Sequence, residues 1–179
     1  MKFSKTEFMT KDKINFENNK NGFYLGTPNS KLHISIVSNP HCGFCKEANI
    51  ILEKLLTNYP GEISAQIRFN YFPENESEIS QKLTQALFSI YSNLGKEEFL
   101  NALHFWFEHR NEQLFFKNYK NSETSNMEEI IRSSFENKEK GLNFTPNIML
   151  NGFPFPDKYE REDIFYFMDE LLEDEEILK

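Results

Sequence analysis

Residues Ser38 to Lys46 read SNPHCGFCK and hold the only two cysteines of the chain, Cys42 and Cys45. Such a pair can be a redox dithiol, half of a metal site or a disulfide staple. Upstream, Leu32-His33-Ile34-Ser35-Ile36-Val37 alternates with β-branched content and stops at Asn39-Pro40, which predicts a strand ending in a turn. Downstream, Ala48, Ile51, Leu52, Leu55 and Tyr59 share one helical face, and Pro60-Gly61 ends that helix. The cysteines therefore open a helix. At a helix start, unpaired N–H groups and the macrodipole favour negative charge, so Cys42 ionises readily, while Cys45 lies one turn deeper on the same face. Dithiol exchange needs this asymmetry between an attacking thiolate and a sheltered resolving thiol. Lowering a thiol pKa from about 8.5 to about 7 favours the thiolate by roughly 2 kcal/mol.

The rival readings are weaker. A bridge between Cys42 and Cys45 closes a very small loop, and chain-entropy stabilisation grows with loop length. Zinc needs further ligands beside the cysteines. The nitrogen candidates are His33, His41, His104 and His109, and the last two lie five apart on different faces of a predicted helix. His41, next to Cys42, either steadies the thiolate when protonated or is an exposed turn histidine. Lys46 reads as a solvated surface charge.

At 179 residues the chain has room for one well-cored domain, and its 19 Phe supply large burial areas. Nothing approaches the run of apolar residues that a membrane span requires. Residues 1–22 are polar, read as a linker or loosely docked arm, and have no apolar core resembling a signal peptide. This fits a cytosolic protein, one exported by other means, or part of a longer chain. The net charge of −8 is concentrated in residues 157–179, which hold ten Asp or Glu against three Lys or Arg. An acidic field argues against nucleic acid as partner, since phosphate binding needs a basic face. The acidic end reads as a solvated helix face or a docking surface for a basic partner.

The remaining elements follow from periodicity. Ile63, Ala65, Ile67, Phe69 and Tyr71 alternate with polar residues and predict a second strand closed by Phe72-Pro73. Residues 76–140 are helical, with stripes at Ile79-Leu83-Ala86-Leu87-Ile90, Phe99-Leu100-Leu103-Trp106-Phe107 and Met127-Ile130-Ile131-Phe135. Thr145-Pro146 marks a boundary, Asn147-Ile148-Met149-Leu150 is a strand, and Asn151-Gly152 predicts a hairpin into an edge strand bearing Pro154. Ile164, Phe165, Met168, Leu171 and Leu172 form a closing helix.

Strand–CxxC–helix at the front and Thr-Pro–strand–hairpin–helix at the back resemble the thioredoxin superfamily, over roughly residues 24–175. The resemblance implies an α/β, thioredoxin-like fold in residues 23–179: a central mixed sheet flanked by helices, with a helical insertion at 76–140 before a cis-proline strand. It implies Cys42 as nucleophile, Cys45 as resolving thiol, Pro146 as cis-proline, and Thr145 as the residue whose backbone pairs with a bound peptide. His41 joins them as a substrate-side residue. The insertion is similar to that of bacterial periplasmic disulfide oxidoreductases. The segments Leu25-Gly26-Thr27-Pro28-Asn29, Asn39 to Cys45, His104 to Phe107 and Phe144 to Pro156 also resemble the thioredoxin-like domains associated with bacterial vitamin K epoxide reductase-type proteins. That resemblance implies work outside the cytoplasm and re-oxidation by a membrane quinone-linked partner, with no metal or organic cofactor.

Two departures stand out. The strand position six residues before the nucleophile, where many relatives carry a buried acid, is Ile36, which leaves Glu47 as either a candidate proton acceptor or simply an exposed side chain. The dipeptide Gly43-Phe44 matches neither the Gly-Pro of reducing relatives nor the Pro-His of strong oxidases. The expected function is thiol–disulfide exchange with protein thiols or disulfides. The alternatives are a redox-inactive thioredoxin-fold module that binds a peptide or partner, and a small zinc protein.

Overall fold

Strand β2 (Leu32–Ser38) runs parallel to β3 (Ile63–Phe69), from Leu32 opposite Ile63 to Ser38 opposite Phe69. A parallel pair needs a crossover, and helix α2 (Cys45–Asn58) supplies it. The structure is a computed structural model that describes residues 5–16, 22–120 and 126–178. Strand β1 (Phe23–Gly26) adds to β3 antiparallel. On the other side β4 (Asn147–Leu150) pairs antiparallel with β2, and β5 (Phe153–Pro154) with β4. The five-stranded mixed sheet has the order β1-β3-β2-β4-β5. At the hairpin both Asn151 (φ 49°) and Gly152 (φ 86°) take the positive φ that a type I′ turn needs. β1 has no counterpart in the periodicity reading, because Phe23, Tyr24 and Leu25 are consecutive apolar residues and display no alternation.

One face of the sheet is apolar: Ile34, Ile36, Ala65, Ile67 and Phe69 join the main core with Leu52 and Leu55 of α2. The helical block comprises α3 (Glu78–Leu94), α4 (Lys96–His109), α5 (Glu112–Asn118) and α6 (Glu128–Glu139). The chain closes with α7 (Ile164–Glu173). Helix α5 is one more than the hydrophobic stripes predicted. Asn111 caps it by accepting from the Leu114 N–H at 2.9 Å, and it buries Phe115, too short a pattern to show a period.

The other face is also buried, and it joins a small apolar cluster of Val37, Leu142 and Met149 to polar residues. Ser35, Gln66 and Arg68 are covered there. Arg68 Nε donates to Asn137 Oδ1 at 2.8 Å, its Nη2 donates to Glu136 Oε1 at 2.6 Å, and its guanidinium lies 3.7 Å from the Phe16 ring centroid. Burial pulls the Arg68 pKa down and the Glu136 carboxylate opposes the shift. The expected stripe of α6 holds at Met127, Ile130 and Ile131, which pack on the core, and fails at Phe135. The helix buries Ile130, Ser133, Ser134 and Asn137, and leaves Phe135 49% exposed. A buried guanidinium has to be met by acceptors, so the polar face of α6 turns inward.

The N-terminal stretch, expected to dock loosely, packs closely where it is described. Short helix α1 (Lys5–Phe8) sends Phe8 into the core, 6.0 Å from the Phe153 ring. The Ile14 N–H donates to the Gly152 carbonyl at 2.8 Å, and Tyr159 donates its hydroxyl to Glu7 at 3.0 Å. Phe8→Ala is expected to cost about 3 kcal/mol, the usual range for emptying a buried aromatic site. Urea denaturation of the full chain measures it; an unchanged midpoint is the result a loosely docked arm would give.

Candidate active site

Cys42 and Cys45 are joined as a disulfide with their Cα atoms 5.4 Å apart. Helix α2 begins at Cys45 with Phe44 as its N-cap residue, so Cys42 sits in the turn just ahead of the helix rather than within its first turn. The asymmetry is present: Cys45 is 1% exposed and packs in the core, whereas Cys42 is half-buried at its edge. Across from them the Thr145–Pro146 peptide bond is cis. The Thr145 carbonyl oxygen lies 3.4 Å from Cys42 Sγ. That is a contact while the sulfurs are bonded, and it becomes an acceptor for the Cys42 thiol once the disulfide is reduced.

The two loops are held by a polar relay that begins at the buried cation. Asn137, which accepts from Arg68, donates through Nδ2 to Asn70 Oδ1 at 2.9 Å. Asn70 follows β3 and continues its ladder by donating N–H to Ser38 O at 3.0 Å. It then divides between the loops. Its Nδ2 donates to Leu142 O at 3.1 Å, on the approach to the cis-proline, and its carbonyl accepts from Asn39 Nδ2 at 2.9 Å. Asn39 in turn accepts the His41 N–H on Oδ1 at 2.8 Å and the Cys42 N–H on its carbonyl at 3.1 Å. The turn read from Asn39-Pro40 is thus an Asx-type turn with a second function. No sequence pattern singled out Asn70.

Helix α4 holds the same loop from the opposite side. Trp106 Nε1 donates to Pro40 O at 2.6 Å, and Arg110 Nη2 donates to Cys42 O at 2.7 Å. Sequence reading had Trp106 as a stripe residue and within the His104 to Phe107 resemblance segment, and did not mark Arg110. His41 is exposed and meets the edge of Trp106 at 5.5 Å between ring centroids. Lys46 is paired with Glu108 at 3.4 Å. Glu47 accepts from Arg161 Nη1 at 3.0 Å. Beside the disulfide, Phe44 (68%) and Phe144 (81%) are among the most exposed large apolar side chains. A cleft next to the cis-proline is lined by Pro146, Asn147, Pro154, Phe155, Tyr159 and Arg161.

A family model described as Thioredoxin matches residues 18–170. The chain belongs to the thioredoxin family. Solved structures of similar fold include a periplasmic thioredoxin-like protein from Salmonella enterica serovar Typhimurium, with TM-score 0.67 and 16% identity over 89% of this chain and 94% of that one. BdbD from Bacillus subtilis, in its oxidised form, matches with TM-score 0.66 and 14% identity over 86% of this chain and 98% of that one. The thiol-disulfide exchange protein alpha-DsbA2 from Wolbachia pipientis matches with TM-score 0.66 and 19% identity, covering 86% and 88% of the two chains. No curated protein matches the sequence. Within this thioredoxin-family chain, no helix among the described residues is long and apolar enough to cross a membrane. Among the same residues no group of three or more His, Cys, Asp or Glu is placed to share a metal ion.

Asn39→Ala removes the acceptor of the His41 N–H and the donor to Asn70 in one step. It is expected to cost about 1–2 kcal/mol and to speed hydrogen exchange at the His41 amide while leaving the β3 amides protected. Exchange rates that are unchanged at His41 would contradict the relay described above.

Proposed function

We propose that this thioredoxin-family chain exchanges disulfides with protein substrates through Cys42 and Cys45. The observation that carries the reading is a bonded pair with one sulfur buried and the other at the surface, beside the Thr145 carbonyl. In the reducing direction, the Cys42 thiolate attacks one sulfur of a substrate disulfide. A Cys42–substrate bond forms as the substrate S–S bond breaks and releases the other sulfur as a thiolate. Cys45 then loses its proton and attacks Cys42 Sγ, which restores the internal disulfide and releases the second substrate thiol. Two electrons pass from the pair to the substrate. The oxidising direction is the reverse, through the same mixed disulfide.

Other residues take supporting roles in this proposal. Thr145 and Pro146 form the wall against which the substrate segment lies, with the Thr145 main chain available for strand-like pairing. His41 stands at the rim on the substrate side. The alpha-DsbA2 protein is itself named a thiol-disulfide exchange protein, which supports the same chemistry on this fold. An extracytoplasmic location and re-oxidation by a membrane quinone-linked partner belong to the proposal too, supported by the resemblance of the Leu25–Asn29, Asn39–Cys45 and Phe144–Pro156 segments.

Cys45→Ser tests the chemistry. The variant is expected to accumulate mixed disulfides through Cys42 with proteins of a competent extract, visible as thiol-sensitive bands on non-reducing gels. A protein that traps nothing while Cys42 remains reactive would favour the binding-module alternative. Equilibration with glutathione buffers assigns the direction: a potential near about −120 mV means oxidation of clients, and one near about −270 mV their reduction.

A further inference from the structure

Arg110 ends α4 in the left-handed region, with φ of 46°, and closes the helix by donating its N–H to Trp106 O at 2.7 Å. Its side chain is committed to the CxxC loop, where Nη2 donates to the carbonyl of Cys42 itself at 2.7 Å. Four residues earlier Trp106 holds the Pro40 carbonyl at 2.6 Å. The helix therefore binds the main-chain oxygens on both sides of His41, one with a neutral donor and the other with a cation. A neutral donor suffices to hold a carbonyl; a guanidinium also brings a permanent charge. A 2.7 Å hydrogen bond and the covalent span of one residue separate Nη2 from Cys42 Sγ, and a nearby opposite charge favours an ionised group.

The two charged side chains at the start of α2 are compensated. Lys46 of α2 is paired with Glu108 of α4, and Glu47 of α2 is paired with Arg161. His41 stands against the Trp106 edge. The cis-proline loop presents the Thr145 carbonyl, the negative end of a dipole, 3.4 Å from Sγ. Because α2 starts at Cys45, the helix N-terminus is also set back from Cys42. We propose that Arg110 is a positioning residue of the redox site, whose cation, fixed on the Cys42 carbonyl, stabilises the Cys42 thiolate and makes the disulfide a stronger oxidant. This rests on Cys42 being the exchanging sulfur. When two glutathione thiols reduce the disulfide, the electron pair comes to rest on the two cysteines, and stabilising one of them as thiolate favours the reduced side.

The test compares full-length wild type, Arg110→Met and Arg110→Lys. Thiolate ultraviolet absorbance is followed against pH in the reduced proteins, and each is equilibrated with glutathione. Arg110→Met is expected to make Cys42 about tenfold less acidic. Where Cys42 is ionised, a tenfold loss corresponds to a fall of about 30 mV in reduction potential. Arg110→Lys, which keeps the charge and loses the fork, is expected to recover most of both. Raising the salt concentration is expected to weaken Cys42 acidity in the wild type and to leave Arg110→Met unmoved. Titrations and potentials identical in wild type and Arg110→Met overturn the inference, as does an Arg110→Lys variant indistinguishable from Arg110→Met. A wild-type pair that does not exchange with glutathione overturns the oxidoreductase reading instead, so the two failures are separable.

Discussion

A fully buried guanidinium organises this molecule. Arg68 lies on the sheet face that strand alternation would leave to solvent, and its charge must be matched where it is. Removing either partner of such a pair costs on the order of 3–5 kcal/mol, so the match constrains everything packed around it. Glu136 supplies the counter-charge, Asn137 the acceptor, and the Phe16 ring a polarisable surface. Helix α6 meets those demands with its polar residues while Ile130 enters the core, and Phe135 is left half-exposed.

From that cation the constraint extends to the chemistry. Asn137 is already oriented by Arg68, so its amide nitrogen is aimed at Asn70, and Asn70 divides its groups between the loop leading to the cis-proline and the loop bearing the cysteines. Each bond is of ordinary strength, about 1 kcal/mol net. Their value lies in being consecutive: neither loop can shift without breaking a partner of the other. A disulfide exchange site needs its two walls at a fixed separation, since the attacking sulfur and the incoming disulfide must come into line. The helical insertion contributes from the far side, through Trp106 and Arg110, so the block between β3 and β4 is part of the site's support rather than a cover over it.

Much of this was legible beforehand. The strand before SNPHCGFCK, the helix after it, the Asn151-Gly152 hairpin and the closing helix are local signals, and each stands where periodicity and turn chemistry put it. What escaped did so for identifiable reasons. β1 shows no alternation across Phe23, Tyr24 and Leu25, and α5 buries the single residue Phe115. The arm's docking depends on Phe8, Ile14 and Phe16 meeting distant partners, in a stretch that is otherwise mostly polar. Arg68, Asn70 and Arg110 belong to no motif, because a lone polar residue in a strand, a loop or a helix end looks like a surface group until its partners are known.

The division follows from the range of the forces involved. The sequence by itself determined the elements, their order and the two sulfurs, since backbone propensity, turn geometry and the spacing of a CxxC act within a few residues. Tertiary structure alone decided that the polar side of β3 is buried, that Cys42 precedes its helix rather than opening it, and that Arg110 rests on the Cys42 carbonyl. Those outcomes depend on satisfying buried donors and charges. Their partners come from far along the chain, 69 positions for Arg68 and Asn137 and 68 for Cys42 and Arg110, where no local pattern records the pairing.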